Sequence, residues 1–238
     1  MACHLLSANL VNAGMTSPQA PIAARHHSPS LGFNLAGIAL LVLLAAVGLA
    51  YLLDEMSDAN KVTPPALNDG DAISQTIAGT ELSIPTAWFR YGEQIRDGFT
   101  NQIDLRVLVD ADSGVVLPVD VTLLPRSRAR TSSSLLDGVY LHQFSDDTLA
   151  GVPGLVGKPM LGTEGYEGES VWYDALSPNP FVAKCSDPVV KGGPTQCVRS
   201  VYLPSGIAAV YSFDAALLQS WRNFDAEMEQ WLTRIGAW

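Results

Sequence analysis

The sequence predicts an α+β protein: a single N-terminal transmembrane helix, then an antiparallel sheet packed by an amphipathic C-terminal helix. Three observations predict this class: a long apolar run near the N-terminus, frequent short segments with alternating apolar residues, and helical spacing at the C-terminal end. The 238 residues are 47% hydrophobic and only 16% charged, so apolar residues must be concentrated somewhere. This composition argues against uniform disorder, and the length allows one or two domains.

The apolar run extends from Leu31 to Leu53. Nineteen of its 23 residues are apolar, none is charged, and Asn34 is its one polar side chain. As a helix it covers about 34 Å, enough to cross a hydrocarbon core roughly 30 Å thick, so we predict a membrane span in contact with the lipid bilayer. A cleaved signal sequence ending at Gly48-Leu49-Ala50 is the alternative. The apolar residues that follow Ala50 favour an uncleaved anchor.

The segments around the span predict the domain organisation. Residues 1–30 carry no acidic residue and show no periodicity, which predicts a disordered tail, and Met15 is an alternative start. Residues 54–71 combine acidic side chains with two adjacent prolines and predict a spacer. We expect the folded domain to occupy residues 72–238.

The cysteines indicate the compartment, because the flanking charges, Arg25 and Lys61, barely differ. Cys185 and Cys197 lie 12 positions apart after the span, and we predict a disulfide between them. A zinc site is the competing interpretation, but it needs four ligands and His142 is the one histidine after the span. We therefore expect a cytoplasmic N-terminus and a periplasmic or otherwise extracytoplasmic C-terminal domain with a disulfide.

Short strand-like segments predict the sheet. Turn residues separate two pairs of them: Asp110–Gly114, where glycine supplies a positive φ, and Pro204–Gly206. The predicted strands are Glu81–Ile84, Gln102–Val109, Val115–Leu124, Gly138–Phe144, Ser170–Ala175, Phe181–Cys185, Cys197–Leu203 and Ile207–Phe213.

The C-terminal segment changes to helical periodicity. Apolar residues recur at helical spacing from Leu217 to Ile235, with charged residues between them. Asp214 is the expected N-cap, and Asp225 would cap a second piece if Asn223 broke the helix. The apolar stripe is typical of a helix that docks on a sheet.

Charge identifies one candidate docking site. All 24 acidic residues and 13 of the 14 basic ones lie from Asp54 onward, giving that part a net charge of -11. This charge disfavours nucleic acid as a partner. Against it, Arg126, Arg128 and Arg130 place three cations within five residues. They form either a solvated loop or a docking site for an anion, a lipid headgroup or an acidic patch of another protein.

Candidate catalytic residues are sparse. His142 is the one possible imidazole base after the span; it would need a serine within reach or, with Asp146 and Asp147, a metal ion. The candidate serines are Ser132, Ser133, Ser134, Ser145 and Ser170, with no spacing that selects among them. We expect no cofactor and no metal, and we favour a protein that is not an enzyme. An envelope hydrolase that uses His142 stays an alternative.

Several segments together resemble a family of uncharacterised single-pass envelope proteins of Gram-negative bacteria. The matching stretches are Leu82–Pro85, the strand around Ile103–Leu105, Phe181–Cys185 with Cys197, and Tyr211–Phe213 followed by Leu218 and Trp221. The resemblance implies the same topology and cysteine pair, and it brings no catalytic residue. The leading hypothesis is a single-pass inner-membrane protein with a cytoplasmic N-terminus, whose disulfide-bonded periplasmic domain binds or assembles with another envelope protein. A purely structural tether is the third alternative.

Overall fold

The computed structural model describes residues 31–59, 64–111, 114–188 and 190–238. The chain divides into two compact units, an N-terminal one ending at Lys61 and a C-terminal one beginning at Val62. In the N-terminal unit, helix α1 runs from Leu31 to Ala59. Its segment Leu35–Leu52 has a mean hydropathy of 2.6, and none of it is buried. By length and composition this segment suits a membrane span or a signal sequence.

Helix α1 continues beyond its predicted end at Leu53. A helix needs backbone hydrogen bonds rather than apolar side chains, so the charged residues after Leu53 end the apolar stretch without ending the helix. The predicted tail, residues 1–30, lies outside the described residues, as do residues 60–63 of the predicted spacer. Residues 54–59 of that spacer belong to α1, and residues 64–71 belong to the C-terminal unit, where the Trp88 indole N–H donates to the Ala66 carbonyl at 3.1 Å.

The C-terminal unit is built on a seven-stranded sheet in the order β4-β5-β10-β9-β8-β7-β6, with every neighbouring pair antiparallel. The strands are β4 (Ile103–Asp110), β5 (Val116–Pro125), β6 (Val156–Pro159), β7 (Glu169–Tyr173), β8 (Val182–Ser186), β9 (Gln196–Tyr202) and β10 (Ile207–Asp214). A smaller sheet has the order β2-β1-β3. Its strands are β1 (Ala72–Ile77), β2 (Thr80–Pro85) and β3 (Gly98–Phe99).

One face of the large sheet carries the main core. Helix α3 (Trp221–Arg234) buries its apolar stripe there, with the ring of Phe224 4.7 Å from that of Phe213. The rings of Trp231 and Trp88 lie 4.8 Å apart. A short helix, α2 (Ser132–Gly138), contributes Leu136 to a second, smaller cluster with Val182 of β8. The sheet is therefore covered partly on both faces, and the predicted α+β class with a C-terminal helix is confirmed.

Most predicted strands are present within a residue or two of their expected bounds. Gly114 has φ 74° in the predicted turn after β4, and Gly206 has φ 86° between β9 and β10; Asp112 and Ser113 lie outside the described residues. Asp214 is an N-cap as expected, because its carboxylate accepts the Ala216 N–H. The element that follows it directly is a 3-10 segment, which leads into α3.

Two predictions of secondary structure are wrong. Gly138–Phe144 is not a strand: it contains the end of α2 and a 3-10 turn over Tyr140–His142. The Thr131 hydroxyl accepts the Ser134 N–H and starts this helix, although a serine run has low helix propensity. Asp225 does not cap a second helix, because α3 continues through Asn223 and Asp225 pairs with Arg199 instead.

Cys185 and Cys197 form the predicted disulfide. They lie directly opposite each other on β8 and β9, and both are buried in the main core. The bridge therefore fixes the register of these two strands from inside the sheet.

Asp104 is a buried carboxylate that joins β4 to β5 and to the preceding turn. It accepts hydrogen bonds from the Thr122 hydroxyl at 2.6 Å and from the Gln94 and Gln102 amides, each at 2.8 Å. Burial by itself would raise the pKa of Asp104, but these hydrogen bonds and the positive charge of Arg90 outweigh it and lower the pKa below its ordinary value. The carboxylate is thus held in its charged form.

Replacing both bridging cysteines by serine is expected to lower the free energy of unfolding by about 3 kcal/mol, because the closed loop restricts the unfolded chain. Denaturant unfolding of the full chain measures this loss. Mass spectrometry after alkylation should count two more alkylated cysteines in the C-terminal unit with reductant than without it. Free Cys185 and Cys197 in the native protein would contradict the prediction.

Asp104→Asn is expected to cost about 1–3 kcal/mol at pH 7, since it weakens hydrogen bonds to a buried charge. The pKa of Asp104 is lower in the folded state, so its contribution is complete above the ordinary value of 3.8 and is lost as the pH falls below it. Denaturant unfolding at pH 7 and pH 3 should show the gap between variant and wild type narrowing in acid. Asp146→Asn, at an exposed position, is the matched control. If Asp104→Asn lowers the free energy of unfolding equally at both pH values, the stabilising role of the charged Asp104 carboxylate is contradicted.

Candidate functional site

The three predicted arginines lie in one loop, which we call the arginine loop (Arg126–Thr131), between β5 and α2. All three side chains are exposed. The Arg126 guanidinium lies over the Tyr202 ring, 4.1 Å from its centroid, and Arg128 donates to the Asn101 carbonyl at 3.2 Å. No carboxylate within the described residues pairs with any of the three. The loop therefore presents free positive charge on a unit that is acidic as a whole.

The backbone of the arginine loop is fixed by strand β9. The Tyr202 hydroxyl donates to the Ala129 carbonyl at 2.9 Å, and the Ser200 hydroxyl donates to the Arg130 carbonyl at 2.6 Å. The Ser132 hydroxyl, directly after the loop, accepts the Ser200 N–H at 2.8 Å. Ser132 and Ser200 are both buried. The hydrogen bonds of these two serines therefore hold the backbone of the loop against β9.

A pocket of 280 Å³ adjoins this loop at the point where β8 and β9 separate. We call it the β9 pocket; it is lined by Thr131, Ser133, Asn179, Pro180, Arg199, Val201, Tyr202 and Asp225. β8 pairs with β9 at Gln196, Cys197 and Val198, so within the described residues the rest of β9 pairs with no strand on its β8 side. This is why the Ser200 N–H bonds to a side chain, and why the pocket is open there.

The β9 pocket is lined by an ion pair between Arg199, which is buried, and Asp225, whose side chain is 50% exposed. Arg199 donates from Nε to Asp225 Oδ1 at 3.0 Å and from Nη2 to Oδ2 at 2.7 Å, and its guanidinium lies 4.5 Å from the Phe181 ring centroid. Burial raises the pKa of the neighbouring Tyr211, and the charge of Asp225 raises it further. Tyr211 therefore stays neutral, and Arg199 is committed to Asp225.

The residues of the hydrolase alternative are not brought together. His142 is exposed on its 3-10 turn, and among the described residues its side chain has no hydrogen-bond or ionic partner. Ser132 bonds to Ser200 rather than to an imidazole. In the same part of the chain, no group of three or more His, Cys, Asp or Glu side chains is arranged to hold a metal ion. The geometry that this alternative requires is absent from the described residues.

The sequence located the arginines but not the residues that hold them. Ser200 and Tyr202 belong to a predicted strand, where alternation indicated a face but not a partner. Asn179 and Pro180 belong to a loop with no motif. One signal in the sequence could have indicated them. Ser200 and Tyr202 are polar residues two positions apart in a strand, so their side chains lie on the same face of β9.

Comparison with known proteins gives two structural likenesses of low identity. The iron-regulated outer membrane lipoprotein FrpD of Neisseria meningitidis matches with a TM-score of 0.44 and 10% identity, over 70% of this chain and 94% of the other. An immunity protein of the Stenotrophomonas maltophilia type IV secretion system matches with a TM-score of 0.47 and 10% identity, over 69% and 93%. No family model and no curated protein matches the sequence. At these scores the likenesses assign no function to the chain.

Tyr202→Phe is expected to loosen the arginine loop while keeping an aromatic ring beneath Arg126. The lost hydrogen bond to Ala129 should cost about 1 kcal/mol and speed exchange of the Ser200 amide, whose N–H donates to the Ser132 hydroxyl beside the loop. Hydrogen exchange read by mass spectrometry measures the effect. Tyr173→Phe is the matched control, because its hydroxyl has no hydrogen-bond partner in the part of the chain that the structure describes. Equal exchange in wild type and Tyr202→Phe would contradict the fixed loop.

Proposed function

We propose that this protein is a membrane-anchored binding or assembly module that docks another envelope component through the arginine loop. In this proposal α1 is an uncleaved inner-membrane anchor, and the C-terminal unit lies in the periplasm. The observation that carries the binding function is the combination of a fixed loop backbone with three exposed guanidinium groups that pair with no carboxylate among the described residues. A preorganised cationic surface binds an anionic partner without first ordering a flexible loop.

Two features support the proposed location. The apolar segment Leu35–Leu52 has the hydropathy of a membrane span. The disulfide between Cys185 and Cys197 belongs to the C-terminal unit, and structural disulfides persist in oxidising compartments such as the periplasm. A long domain also crosses the membrane largely regardless of the few charges beside its anchor, so the weak charge bias there does not oppose this orientation.

Photocrosslinking in living cells tests the docking function. A benzophenone side chain is introduced in the full chain at Ser127, which is exposed between Arg126 and Arg128, and for comparison at Glu229, which is exposed on α3. We expect discrete higher-mass adducts at Ser127 that are weak or absent at Glu229. They should disappear when Arg126, Arg128 and Arg130 are all changed to alanine, because the cations attract the partner.

A matched variant separates local docking from net charge. Arg96, Lys191 and Arg222 are exposed cations outside the arginine loop, and changing these three to alanine removes the same charge. Adducts at Ser127 should survive in this control. Adducts that survive equally in both triple variants, or no adducts at Ser127, would reject the function and favour a purely structural tether.

A further inference from the structure

We infer that the partner of this site is an acidic, extended segment of a second protein, which lies along the β9 pocket and places an apolar side chain against Leu176. This inference rests on the proposed function and specifies its partner. It uses three neighbouring features: the arginine loop, the β9 pocket and the loop over residues 174–180. They adjoin one another because Asn179 and Pro180 line one side of the pocket, while Thr131 and Tyr202 line the other.

The arginine loop selects for negative charge. Its three guanidinium groups lie on a part of the chain whose net charge is -11, so an acidic segment is repelled by most of the surface and attracted here. Guanidinium groups bind carboxylates with paired, charge-assisted hydrogen bonds. This contrast sets where an acidic segment docks as well as how strongly it docks.

The β9 pocket suits an extended chain better than a compact ligand. Its volume of 280 Å³ is smaller than the roughly 300–1,000 Å³ of sites that enclose a drug-sized molecule. The Ser200 N–H of β9 is already bonded to the Ser132 hydroxyl, so a segment in the pocket contacts the side chains that line it rather than extending the sheet. Ser133 and Asn179 contribute hydroxyl and amide groups to this lining.

Leu176 supplies the apolar contact. Its side chain is 95% exposed, although the loop that carries it is ordered by local hydrogen bonds. The Leu176 N–H donates to the Asp174 carboxylate at 3.0 Å, and the Ser177 hydroxyl donates to the Asn179 carbonyl at 3.0 Å. A rigid loop that displays a leucine in water provides an anchor for a partner's apolar side chain. A free phosphate or another small anion would leave this leucine unused.

Peptide selection tests the inference. The full chain in phosphatidylcholine nanodiscs is panned against a displayed library of random twelve-residue peptides, and enriched peptides are synthesised and titrated. We expect enriched sequences that are acidic and contain at least one large apolar residue. The triple alanine variant of the arginine loop should weaken their binding by about tenfold or more, and Leu176→Ser by about threefold to tenfold. Raising the salt concentration should weaken it as well.

Two control variants match these changes. The triple alanine variant of Arg96, Lys191 and Arg222 removes the same charge elsewhere, and Val190→Ser removes another exposed apolar side chain. Both should bind the peptides within about twofold of wild type. Equal effects of Val190→Ser and Leu176→Ser would overturn the role of Leu176.

The outcomes distinguish this inference from the function on which it rests. Crosslinks at Ser127 together with enriched peptides that are not acidic would overturn the inference and leave the proposed function standing. The same titration in nanodiscs with 30% phosphatidylglycerol tests lipid as the ligand. If the anionic lipid abolishes peptide binding by occupying the arginine loop, the site binds lipid and the inference is overturned. Absence of both crosslinks and arginine-dependent peptides would overturn both proposals.

Discussion

Strand β9 must place successive side chains on opposite faces of the sheet, and the two faces need different chemistry. Toward the core, Cys197 bonds to Cys185 and Arg199 reaches Asp225 of α3. Toward the other face, Ser200 and Tyr202 hold the arginine loop. A shift of one residue would bury the wrong set, because the side-chain period of a strand is two. The disulfide that fixes the register of β8 and β9 therefore also fixes the position of the candidate site.

The sequence predicted the helices and strands in which the apolar repeat continues over many residues. β4, β5 and β10 carry long apolar patterns, and their bounds were predicted closely. The C-terminal helix was predicted as well, although its first residues form a 3-10 segment and α3 begins at Trp221. β6 and α2 could not be predicted in the same way. β6 is four residues long and contains Gly157 and Pro159, and α2 begins in a run of serines. Such elements are stabilised by tertiary packing rather than by intrinsic propensity.

The candidate site was predictable in composition but not in geometry. Three arginines in an acidic chain identify a charge anomaly from composition alone, whereas a fixed loop requires partners that lie 68 to 73 residues further along the chain. Only the pairing of β9 with β10, and of β10 with β5, brings Ser200 and Tyr202 to the end of β5 where the loop begins. The structure thus converts an ambiguous run of charge into a surface whose backbone is fixed and whose charges are free.

The net negative charge of the protein limits how strongly the small cationic site binds an acidic partner. Long-range repulsion from the net charge of -11 slows the approach of an acidic partner, so the site acts at short range, within about a Debye length. A surface of this size and exposure does not by itself imply tight binding. Anchoring changes the requirement, because a partner held at the same membrane meets the site at a high effective concentration, and a weak local contact then suffices. On the proposed function, the anchor and the arginine loop therefore act together: the anchor supplies proximity and the loop supplies selectivity.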